Sequence, residues 1–152
     1  MKHFILSHCA GEKAISATNL KLIGEAITAV TIKAAPGAAT KIRTQLISNL
    51  KSAGWSSEVR LSADSDMTIT SAKDDIGLCL QTGNMSRMYA DLMKLQTMYL
   101  NNTIKAAVII VPSLETAKLL GDNIAQAKRL ERELAIFKKA YHVPTLVYAL
   151  EA

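Results

Sequence analysis

Residues 69–96 read ITSAKDDIGLCLQTGNMSRMYADLMKLQ, and within them the hydrophobic period changes from strand to helix. Ile76–Gln81 is a near-continuous apolar run of strand length, and Lys73-Asp74-Asp75 before it forms a charged turn. Together with Ile69 and the residues after it, this predicts a hairpin of two buried strands. Thr82-Gly83-Asn84 then breaks the strand, and Asn84 suits the N-cap of a helix running to about Tyr99. Met88, Leu92, Leu95 and Tyr99 make its apolar face, which leaves Arg87, Asp91 and Lys94 elsewhere on the cylinder.

Upstream, Leu20, Ile23, Ile27 and Val30 recur at helical spacing and predict a helix from about Thr18 to Ala34, stopped by Pro36-Gly37. A second helix is expected over 39–52, with Ile42, Leu46, Ile47 and Leu50 as its stripe and Gly54 just past its end. His3–Leu6 reads as a short strand, and Val59 with Leu61, then Met67 with Ile69, alternate as strands do. Downstream, Ile104–Val111 is an unbroken apolar run ending at Pro112, the pattern of a central strand buried on both faces. A short helix over 113–120, a longer one over 123–140 and a closing strand over 143–150 complete the chain. This order predicts a single α/β domain over 1–152, with a mixed β-sheet flanked by helices and a right-handed parallel crossover near the end.

Composition narrows the function. A chain of 152 residues with 49% hydrophobic and 20% charged residues is neither disordered nor membrane-spanning. Its net charge of +5 favours an acidic partner, nucleic acid ahead of a membrane surface. Cys9 and Cys79 lie far apart without CxxC spacing, so no zinc site or disulfide framework is signalled. His3, His8 and His142 show no ligand spacing, and nothing at the N-terminus reads as a signal peptide. The expectation is a cytoplasmic protein.

Metal-dependent phosphodiester cleavage requires carboxylates that converge on divalent cations, with a polar group positioning water. A hairpin supplies this compactly: one acid ends the first strand, another lies midway along the second, and a Lys or Gln follows two residues later on the same face. Gly77-Leu78-Cys79-Leu80-Gln81, Thr82-Gly83-Asn84 and the helix Arg87–Gln96 resemble that region of the BglII-type restriction endonucleases of the PD-(D/E)xK superfamily. The resemblance continues through Gly54-Trp55, the strand ending Ile109-Ile110-Val111-Pro112, and Gly121-Asp122-Asn123. It implies a restriction-endonuclease-like fold, a duplex DNA partner, a homodimer and, in an active member, Mg²⁺.

The departures carry equal weight. Aligned on Gln81, the family's Glu position is Cys79 and its Asp position is Thr70. Neither suits a hard cation. Gln81 matches the third position, and Glu25 stands where the resemblance would place a supporting glutamate from the first helix. Members of that superfamily relocate their carboxylates, which makes Asp66, Asp74 and Asp75, with Glu58, candidate metal ligands if the protein cuts. Asp74 and Asp75 are more simply an ordinary solvated turn. Asp66 lies four residues before Thr70, ~13 Å away along a strand.

DNA contact does not depend on the missing acids. The start of the helix after Asn84 would offer backbone N–H groups to a phosphate, with Lys73, Arg87 and Lys94 beside it. Three readings follow: a non-cutting DNA-binding protein that needs no cofactor, an active nuclease with relocated acids, or a protein-interaction module such as an inhibitor. Net positive charge disfavours a DNA mimic as the last of these.

Overall fold

The computed structural model describes residues 1–152. Strand β1 (Lys2–His8) is followed by helices α1 (Gly11–Ala14), α2 (Ala17–Thr28) and α3 (Ala39–Ser52). Short strands β2 (Val59–Arg60), β3 (Thr68–Ile69) and β4 (Ser71–Lys73) lead to β5 (Ile76–Leu80) and helix α4 (Ser86–Leu100). Then come β6 (Ala106–Pro112), α5 (Leu114–Leu120), α6 (Ala127–Ile136) and β7 (Thr145–Glu151). Five strands form one mixed sheet in the order β1-β7-β6-β5-β4, and β2 pairs with β3 apart from it. β5, β6 and β7 run parallel through the α4 and α6 crossovers, while β4 and β1 are antiparallel edges.

The apolar run around β6 is explained by its central place. All seven of its residues are buried. Their alternation feeds two cores: Ala106, Val108 and Ile110 pack towards α2 and α3, and Ala107, Ile109 and Val111 towards α4 and α6. β5 divides likewise, sending Leu78 and Leu80 to the first core and Cys79 to the second. This two-sided burial is the mixed α/β architecture expected from the sequence. No helix is long and apolar enough to cross a membrane.

Helix α3 spans the expected residues and ends as a Schellman turn, Gly54 at φ 89° and Trp55 N–H reaching the Leu50 carbonyl at 3.0 Å. Helix α2 stops at Thr28, six residues before the sequence suggests. Val30-Thr31-Ile32 is β-branched throughout, which disfavours helix. The Gln45 side chain of α3 also bonds both the N–H and the hydroxyl of Thr31, at 3.1 and 3.2 Å. Helix α6 starts at Ala127 rather than Asn123, because Asn123 has φ 54° and residues 123–125 bond instead to the chain after β5. Its flank is tied to α4 by Glu133, which accepts from Tyr89 and Arg129, each at 2.7 Å.

Candidate functional site

The C-terminal end of β5 opens into a cavity of about 320 Å³. Its walls come from three places: the first turns of α3 (Ala39, Thr40, Arg43), the hairpin and the β2 approach (Glu58, Thr68, Thr70, Leu80, Gln81), and the chain into α4 (Thr82, Gly83, Arg87, Asp91, Lys94). Only Ala39 and Leu80 among these are hydrophobic, so the site is built for a polar or charged group.

The hairpin register explains why Thr70 and Cys79 belong together. Ser71 pairs with Leu78 across β4 and β5, so one step further Thr70 lies opposite Cys79. Side chains directly opposite in an antiparallel pair share a face. The Thr70 hydroxyl oxygen accepts the Leu80 N–H at 3.0 Å, serving as an acceptor where the strand pairing gives out. Cys79 is fully buried against the α4 core and does not line the cavity. Burial, reinforced by the charge of Asp91, pushes its thiol well above the ordinary range. A neutral buried thiol and a hydroxyl already bonded to the backbone do not make a seat for Mg²⁺. No group of three or more His, Cys, Asp or Glu side chains is placed to hold a metal ion.

Gln81 projects to the same face as Cys79, and its amide is held at both ends. Its Nε2 donates to Asp91 Oδ2 at 3.1 Å, and its Oε1 accepts the Gly83 N–H at 3.1 Å. Lys94 donates to the other Asp91 oxygen at 3.3 Å. Both oxygens of Asp91 are thus engaged, and the residue is only 8% exposed. Arg43 reaches across from α3 to donate to the Leu80 carbonyl.

Sequence reasoning gave Asp91 no role, setting it with Arg87 and Lys94 off the apolar face of its helix. The signal was present: Asp91 is three residues after Met88 and four before Leu95, the spacing of the buried stripe. Arg43 was read only as surface of its helix, because it lies far off in sequence from the hairpin and nothing local ties it to Leu80.

The remaining candidates are dispersed. Arg87 and Lys94 line the cavity with Gln81 and Thr70. Lys73 does not, since it sits at the opposite end of β5 and pairs with Asp74 at 2.8 Å. Asp74 and Asp75 form the two-residue turn there, both at positive φ, ~20 Å from Gln81 at strand rise. Asp75 pairs with Lys105, and Asp66 with Arg60 in the β2–β3 connection. Glu25 lies exposed on α2, 3.8 Å from Lys21, and is not part of the cavity.

Asn84 departs from the role read from sequence. Helix α4 begins two residues later, at Ser86, and the Asn84 side chain accepts the Ser86 N–H at 2.8 Å. Arg87 and Met88 N–H groups bond to the Asn84 and Met85 carbonyls. The α4 start therefore has no free donors for a phosphate. The uncapped start is that of α3, where no side chain bonds the first turn and Ala39 and Thr40 face the cavity.

Comparison with known proteins gives one family. The sequence profile described as restriction endonuclease BglII/BglIII matches residues 3–150. A crystal structure of restriction endonuclease BglII complexed with a DNA 16-mer superposes with a TM-score of 0.88 at 15% identity, covering 100% of this chain and 79% of that one. A crystal structure of free BglII gives 0.70 at 14% identity, covering 100% and 80%. No curated protein matches the sequence.

Proposed function

Because the chain belongs to the BglII/BglIII restriction endonuclease family, we propose that it binds duplex DNA as a single restriction-endonuclease-like domain and does not cut by metal-dependent hydrolysis. One observation carries the second half: where the resemblance calls for converging carboxylates, Thr70 is a hydroxyl bonded to the Leu80 N–H and Cys79 is a thiol buried out of reach of solvent. The protein is cytoplasmic in this reading and grips DNA as a homodimer. An apolar groove between α4 and the chain leaving α6, lined by Tyr89, Leu92, Met93, Phe137 and Tyr141, supports self-association.

The test is direct. Purified protein is titrated with labelled duplexes at increasing salt, and incubated with plasmid in Mg²⁺ or Mn²⁺. Binding that falls steeply with salt and persists in chelator, without cleavage, is the expected result. Absence of binding to any duplex at low salt, with a stoichiometric protein partner captured instead, would favour the interaction-module reading.

A second reading, an active nuclease with relocated acids, is favoured by one feature: Glu58 and Asp91 both line the cavity. If cleavage occurs, these two are the first to replace, ahead of Asp66, Asp74 and Asp75, which stand outside it.

A further inference from the structure

Counting donors and acceptors in the cavity points to the charge of its ligand. The acceptors next to Gln81 already have partners: both Asp91 oxygens, the Gln81 Oε1 and the Thr70 oxygen's contact with Leu80 N–H. The donors are largely free. Arg87 makes no ion pair and no side-chain hydrogen bond, and Arg43 has only its Leu80 contact among five N–H groups. Lys94 retains two further hydrogens, and the Thr70 hydroxyl hydrogen has no acceptor. The uncapped start of α3 adds a partial positive charge on the same wall.

We infer that this cavity seats a phosphate group directly, held by Arg43, Arg87, Lys94 and the Thr70 hydroxyl, with no bridging divalent cation. Resting on the duplex-binding reading above, this names the group that enters the site: one phosphodiester of the DNA backbone. Fixed cations supply the charge that a metal would otherwise bring to that phosphate. Asp91 acts as a positioning residue, orienting Lys94 and Gln81. Glu58, the one cavity carboxylate without a partner, opposes the ligand.

That sign separates an anion site from a cation site. Affinity for a short labelled duplex is measured in chelator for the intact protein, Arg87→Gln, Glu58→Gln and Lys138→Gln, the last a control just past the C-terminal end of α6 and outside the cavity. Arg87→Gln is expected to weaken binding ~10-fold and flatten the salt dependence by about one counterion, while Glu58→Gln tightens it. Inorganic phosphate should shift the NMR signals of Arg87 and Thr70 in the DNA-free protein.

Duplex binding in which Arg87→Gln matches the Lys138→Gln control overturns the phosphate seat and leaves DNA binding standing. Binding that requires Mg²⁺ and is weakened by Glu58→Gln overturns it in favour of a cation. If no duplex binds but phosphate shifts both signals, the seat stands and its phosphate comes from another source. If neither binds, both readings fall.

Discussion

The two ends of β5 carry acids in opposite ways. At the Ile76 end, Asp74 and Asp75 sit side by side in an exposed turn, each beside a lysine on the surface. At the Leu80 end there is one acid, Asp91, drawn from a helix, nearly buried and bonded through both oxygens. The paired aspartates look more like a metal site in the sequence, yet exposed pairs in water contribute little. The single buried aspartate organises Gln81 and Lys94 around a cavity. Burial and convergence, not the local density of acids, locate the chemistry.

Replacing Asp91 should therefore produce the largest effect. Asp91→Ala leaves Lys94 and the Gln81 amide without their acceptor, and is expected to lower stability by about 2–3 kcal/mol. Lys94 can still turn towards solvent, which keeps the cost at the lower end for breaking a largely buried pair. Urea denaturation of Asp91→Ala beside Asp75→Ala checks this. Equal midpoints for the two variants would erase the contrast between the ends of β5.

The same contrast shows what could be read from the chain. Strand β5, the central β6 strand and the extent of α3 were legible because each depends on a local period, whereas Ile69, expected in the hairpin's first strand, pairs instead with Val59 and leaves that place to Ser71–Lys73. Thr70, Cys79 and Gln81 were singled out only by the family's spacing; the turn itself, read as Lys73-Asp74-Asp75, proves to be Asp74-Asp75, with Lys73 paired to Ile76. Arg43 was not legible, because α3 reaches Leu80 only through the tertiary fold. The α4 start was misread for a related reason: Asn123 and Gly83 engage the surrounding backbone, with Met85 N–H on Asn123 and Ala125 N–H on Gly83, and no local pattern announces that pairing.

Thr70 tests the cavity end at a smaller scale. Thr70→Val keeps the β-branched shape and removes the oxygen that accepts the buried Leu80 N–H. An unsatisfied buried donor costs about 1–2 kcal/mol, and the Leu80 amide should exchange faster with solvent. Unchanged protection at Leu80 would mean that the strand end is held by its backbone neighbours alone.

The smallest effect belongs to the turn. The Lys73 ammonium, bonded to Asp74 at 2.8 Å, and the Asn19 amide at 3.1 Å hold the Asp74 carboxyl below its ordinary value of 3.8. A depressed carboxyl stabilises the fold above its unfolded-state pKa, and that contribution is lost as pH falls through the lower, folded value. Wild type and Asp74→Asn should thus differ slightly near neutrality and converge in strong acid, with NMR following the Asp74 carboxyl directly. Because both partners can be replaced by water, the difference should be far smaller than for Asp91→Ala. A comparable loss would show that Asn19, whose own side-chain oxygen is buried without a partner, depends on Asp74 to hold α2 against the hairpin.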